Sequence, residues 1–170
     1  MNAKPLTSLL IRRAHQGDAA VLYAIHQRSV IAFCAAHYSE EHLAEWFLGR
    51  SESIYQDALH AGRIWLAEAD GRVLGFVEAI PGEVTLLFVV PDASGQCVGQ
   101  QLLEHGVRMA AAMGQGQVTV IATLNAVSFY ERHRFQLVED QYFERGDPPR
   151  RYDVVKMVHA APLPVSALPS

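Results

Sequence analysis

A chain of 170 residues is long enough for one domain that buries about two-thirds of its unfolded surface. Half of its residues are apolar, 14 are basic and 18 acidic, for a net charge of −4. That balance excludes the dense positive charge by which nucleic acid or an anionic membrane is held.

The opening "MNAKPLTSLLIRRA" has no apolar run long enough for a signal-peptide core or a membrane span, so a cytoplasmic location is expected. Cys34 and Cys97 are the two cysteines and form no CxxC, which suits a reduced compartment without a disulfide framework. Eight scattered histidines give no metal-ligand spacing, and no metal is expected.

In chain order, "LLIRRA" (9–14) predicts a short strand. A helix starts at Gly17-Asp18, where Asp18 can cap the free amides, and Val21, Leu22, Ile25 and Ile31 or Ala32 recur at helical spacing. Ser39, followed by Glu40 and Glu41, opens a short amphipathic helix with Leu43, Trp46 and Phe47 on one face. Ser53 and Gln56 fit a capping box for a further turn that turns Ile54, Ala58 and Leu59 inward. The period then changes. "RIWLAEA" and "RVLGFVEAI" flank Asp70-Gly71, a strong signal for a two-residue hairpin turn. Pro81-Gly82 leads into "EVTLLFVV" (83–90), apolar enough for a strand covered on both faces. A helix from about Val98 to Met113 places Val98, Leu102, Leu103, Val107 and Ala110 inward. A strand at 117–123, a helix at 125–133 and two strands within 135–158 follow. The tail "APLPVSALPS" (161–170) has three prolines and no periodicity, so it is expected to be disordered. Helices on both sides of a mixed sheet predict a single α/β or α+β domain over residues 1–160.

The stretch "LLFVVPDASGQCVGQQLLEHG" (86–106) can be read in two ways. It is either a plain strand-to-helix connection, or a loop whose free amides and helix dipole hold a phosphate, with Gly95 and Gly99 permitting close approach.

"LFVVPDASGQCVGQQLL" resembles the acetyl-CoA-binding motif of the GNAT superfamily of N-acetyltransferases, in which a V-x-P strand end precedes [Q/R]xxGx[G/A] and a helix. "TLNAVSFYERHRF" resembles the second signature of that superfamily, and "YSEEHLAEW" (38–46) the acceptor-side helix of its small bacterial members. The resemblance spans about residues 9–158. It implies a mostly antiparallel mixed sheet of about six to seven strands with about four helices, and acetyl transfer from acetyl-CoA to an amine of a small molecule or protein by direct attack. A homodimer is compatible with it. Three positions depart from the pattern: Ser94 replaces Gln or Arg, Cys97 the first motif glycine, and Arg134 the glycine of "GF". A left-handed Arg134 would cost about 1 kcal/mol relative to glycine.

By the same resemblance Ser94, Gly95, Gln96, Cys97, Val98, Gly99 and Gln100 form the pyrophosphate loop. The backbone of Phe88 or Val89 donates to the thioester oxygen, Asn125 contacts the cofactor or caps its helix, and Tyr130 is the general acid or a core aromatic. Glu83, sixteen positions before Gly99, is the candidate base, with Glu78 or a water relay as alternatives. His37, Tyr38, His42, Trp46, Tyr142, Glu144 and the 145–151 loop are candidates for the acceptor side or, more plainly, core and surface residues. A CoA-binding module without catalysis is the competing function. The Cys97 thiol is either a tolerated loop residue or one made reactive by the helix dipole.

Overall fold

The computed structural model describes residues 8–114 and 116–159; the expected tail at 161–170 lies outside the described residues. Asp70 and Gly71 have φ of 50° and 73°, as a type I′ hairpin turn requires, and they join β2 (Ile64–Ala69) to β3 (Arg72–Ile80). Gly82, at φ 75°, turns β3 into β4 (Glu83–Val89). With β1 (Leu10–Arg13), β5 (Thr119–Thr123), β6 (Phe135–Arg145) and β7 (Arg150–His159) these form one seven-stranded sheet in the order β1-β2-β3-β4-β5-β7-β6. All neighbouring pairs are antiparallel except β4 with β5.

Five α-helices accompany the sheet among the described residues: α1 (Ala19–Cys34), α2 (Glu40–Glu45), α3 (Gln56–His60), α4 (Val98–Gly114) and α5 (Val127–Arg132). The five inward positions expected on α4 are all buried. Between them stands Gly106, where an added Cβ would lie 2.6 Å from Val77 Cγ2, so this glycine lets the helix settle directly on β3.

Several local expectations are corrected. Asp18 does not cap the amides of α1; its carboxylate accepts from the Arg12 guanidinium at 2.9 and 3.1 Å and from the His15 N–H at 2.9 Å, tying the strand end to the turn. Ser51 rather than Ser53 caps the turn before α3, accepting the Ser53 N–H. Ile31 faces outward, and the buried face of α1 runs through Leu22, Ile25, His26, Ser29, Val30 and Cys34.

His26 can be buried because its needs are met locally. Its Nδ1 bonds the Tyr55 hydroxyl at 2.7 Å, and its ring stacks on Phe88 with centroids 4.0 Å apart. Burial, reinforced by the charges of Arg50 and Arg145, pulls the imidazole down to about 3, so the ring is neutral.

A base whose folded value is depressed contributes stability above its unfolded value of about 6.5 and loses it as the pH falls toward the folded one. The urea midpoint is therefore expected to drop from about pH 7.5 to about pH 5. His26→Gln should flatten most of that slope, leaving the share of His105, which burial also lowers. Equal slopes in the two proteins would contradict this role for His26.

Candidate active site

The strands β4 and β5 pair only at Glu83↔Thr119 and Val84↔Val120. Beyond that point β4 stays with β3, while β5 stays with β7 as far as Thr123↔Val154, so the sheet divides. A bulge marks the place. Val84 lies opposite Ala79 and Leu86 opposite Glu78, leaving Thr85 as an extra residue that bends β4. On the other side, the Tyr38 hydroxyl accepts the Leu124 N–H at 3.2 Å and donates to the Asp153 carbonyl at 2.7 Å, which holds the end of β5 against β7.

The register decides which amides the division leaves free. Val90 N–H donates to the Leu74 carbonyl at 2.8 Å, so Val90 and, two residues earlier, Phe88 direct their polar groups toward β3. Leu87 and Val89 direct theirs the other way, into the gap. Of the two expected oxyanion donors, Val89 has its amide facing the gap and Phe88 does not.

The gap widens into a cavity of about 670 Å³, a usual size for a small-molecule site. Its far end is the loop before α4. Gly95 and Cys97 have φ of 79° and 61°, and the Cys97 carbonyl accepts the Gln101 N–H at 3.1 Å. Cys97 is thus the exposed residue at which the helix begins, and the amides of Val98, Gly99 and Gln100 have no preceding turn to bond. At Gly99 an added Cβ would lie 3.5 Å from the Phe129 ring and 3.6 Å from Val89; at Gly95 it would meet open space. Conformation favours glycine at Gly95, whereas at Gly99 a side-chain carbon would make only ordinary contacts.

Asn125 lies within a 3₁₀ turn, Leu124–Ala126, and caps neither that turn nor α5. Its side-chain oxygen accepts the Cys34 thiol at 3.3 Å. Burial pushes that thiol up to about 11, so Cys34 is protonated and unsuited to be a nucleophile. Tyr130 is buried beside Phe129 and Phe135. Desolvation raises its phenol well above the ordinary range, and its hydroxyl has no hydrogen-bond partner among the described residues.

The cavity brings together Phe88, Val89, Ser94, Gly95, Cys97, Val98, Gly99, Gln100, Asn125, Tyr130 and His37. It does not include Gln96, whose side chain donates to the Asp92 carbonyl at 3.0 Å. Nor does it include the carboxylate candidates. Glu83 opens β4, six residues and about 20 Å of extended chain before Val89, and Glu78 pairs with Arg63 at 3.4 Å. No Asp or Glu lines the cavity among the described residues. Trp46 and Tyr38 belong to a second core cluster with Tyr152, while His42 bonds Ser39 and the Arg151 carbonyl. Tyr142 is exposed beneath the Arg151 guanidinium. Sequence reasoning missed the wall from α1, namely Ser29, Val30, Phe33 and Cys34, together with Phe129, Arg132 and His133. Helical spacing from Ser29 to His37 could have placed these α1 residues on one face.

Among the described residues no cluster of His, Cys, Asp and Glu could hold a metal ion, and no helix is long and apolar enough to cross a membrane. The acetyltransferase (GNAT) domain family matches residues 34–151. The uncharacterized N-acetyltransferase YafP of Escherichia coli (strain K12) is 29% identical over 139 residues, 82% of this chain and 89% of that protein. A GCN5-related N-acetyltransferase from Rhodopseudomonas palustris superposes with a TM-score of 0.78 at 25% identity, covering 94% of this chain and all of that one. The PaiA N-acetyltransferase of Thermoplasma acidophilum, solved in complex with coenzyme A, shares the fold with a TM-score of 0.71 at 21% identity, over 89% of this chain and 98% of that one. With the divided sheet, the amide-lined loop and the family match in agreement, the chain belongs to the GNAT acetyltransferase family and is an N-acetyltransferase.

Proposed function

We propose that this enzyme binds acetyl-CoA in the gap between β4 and β5 and passes the acetyl group directly to an amine. The observation that carries this reading is the parting of the two strands after Val84 and Val120, which leaves outward-facing amides in mid-sheet. Such groups are otherwise paired in a folded protein, and a ligand with amide groups of its own, like the pantetheine arm, can pair with them. Bound acetyl-CoA supplies an activated thioester.

The chain's own residues would act as follows. Amides at the start of α4, a helix of 17 residues, together with the dipole, favour the pyrophosphate. The Val89 N–H is the fixed donor to the oxygen that gains charge as the amine attacks. Asn125, its oxygen taken by Cys34, keeps its amide nitrogen as a donor toward the ligand. Tyr130 remains protonated and donates to the departing thiolate. With Glu83 and Glu78 both outside the cavity, the proton of the amine leaves through water.

Tyr130→Phe is expected to lower kcat by about a hundredfold or more while leaving acetyl-CoA binding intact, measured by release of free CoA thiol and by calorimetry. Unchanged turnover would remove Tyr130 from the mechanism. Cys97→Gly relieves a left-handed side chain, so it should stabilise the protein by up to about 1 kcal/mol in urea unfolding and preserve acetyl-CoA affinity. Destabilisation would show that the Cys97 side chain makes a contact worth more than its backbone strain.

A further inference from the structure

A second hollow of about 520 Å³ lies between α4 and the end of α5, where Phe135 of β6 pairs with His159 of β7. Its floor is apolar, made by the buried Leu103, Val107 and Phe135. Its rim is basic: Arg108 comes from α4, and Arg132, His133 and Arg134 follow one another at the end of α5. None of these three arginines forms an ion pair among the described residues. Glu104 is the one carboxylate bordering the hollow among the described residues, and it accepts from the Gln100 side-chain amide at 2.9 Å.

Arg134 carries an anomaly of its own. Its φ is 70°, in the left-handed region that a β-carbon disfavours. It occupies the position after α5 that glycine usually fills, with the His133 and Arg134 N–H groups donating to the Tyr130 and Glu131 carbonyls at 2.9 and 3.2 Å. A basic group at a helix end complements the dipole, but Arg132 in the last turn of α5 already supplies one. The chain therefore keeps a strained arginine where glycine would fold more easily, and strain of this kind points to a use for the side chain.

The hollow adjoins the cofactor site. Arg132 and His133 border both it and the strand-gap cavity. From Gly99, in the first turn of α4, Leu103 and Glu104 stand only about 6–8 Å further along the helix. Arg108 lies one turn beyond Glu104, and a helical side chain leans toward the N-terminus of its helix, which carries its guanidinium back over the hollow. A diphosphate held at the start of α4 thus leaves the ribose that follows it beside this basic rim. In coenzyme A that ribose bears a phosphate monoester at its 3′ position.

We propose that Arg108, Arg132 and Arg134 form a subsite for the 3′-phosphate of acetyl-CoA, and that the strained Arg134 is a specificity residue that distinguishes acetyl-CoA from its dephospho form. This rests on the acetyl-CoA reading above and adds to it which form of the cofactor is selected. A phosphate monoester brings about two negative charges at neutral pH and three acceptor oxygens, which guanidinium groups meet with charge-assisted hydrogen bonds. The dephospho form leaves the three cations unmatched.

Calorimetry on the full chain, with acetyl-CoA and with 3′-dephospho-acetyl-CoA, tests the subsite. At low salt acetyl-CoA should bind about tenfold or more tightly than the dephospho form, and the preference should shrink as salt screens the exposed arginines. Arg134→Gly should raise the melting temperature of the protein without ligand, because it relieves the left-handed side chain, and at the same time cut the preference about threefold or more. Arg134→Gln keeps the strain and loses the charge, so the preference falls while the melting temperature holds, and Arg134→Lys restores part of it. A residue with a purely structural role would not separate the two cofactor forms. Should the glycine variant fold poorly, Arg134→Gln decides alone. Equal affinity of the unaltered protein for both forms, or a preference that survives Arg134→Gln in full, would overturn the proposal. Binding of neither form would instead overturn the acetyl-CoA reading on which it rests.

Discussion

Two backbone pairings, Glu83↔Thr119 and Val84↔Val120, hold the two halves of the sheet together, and the site depends on their stopping there. If β4 and β5 ran on side by side, the amides of Leu87 and Val89 would be spent on the sheet ladder and no cavity would open. What stops them is local on each side. On β4 the Thr85 bulge bends the strand as the pairing ends. On β5 the Tyr38 hydroxyl bridges Leu124 and Asp153, fixing the strand end to β7.

Around this division the remaining residues share two tasks. One is to keep the walls rigid without filling the gap. His26 supports Phe88 from the α1 side while satisfied by Tyr55. The other task is electrostatic. The α4 end of the gap offers free amides, and no carboxylate borders the cavity among the described residues. A ligand with negative charge at its α4 end fits such a distribution.

Much of the fold was legible because its signals are local. Asp70-Gly71 needed only its own turn chemistry to place the hairpin, and the spacing of Leu102, Leu103, Val107 and Ala110 needed only the helical repeat. The site was legible in part, through Gly95, Gly99 and Tyr130, which belong to two short motifs. What escaped was tertiary. The buried face of α1 was misplaced toward Ile31 because His26 and Ser29 interrupt the apolar period, and nothing near them in sequence announces Tyr55 or Phe88 as partners. Glu83 was attractive by spacing, but distance along an extended strand removed it from the cavity. Alternation within β4, which separates Phe88 from Val89, depends on register with β3 and cannot be read from either strand alone.

Amide hydrogen exchange resolved by residue tests the division of the sheet most directly, followed without and with acetyl-CoA. Phe88 and Val90, bonded toward β3, should be protected in both conditions. Leu87 and Val89 should exchange rapidly in the free protein and become protected when acetyl-CoA is added. Protection of Val89 in the free protein, or indifference of both gap amides to acetyl-CoA, would contradict the account.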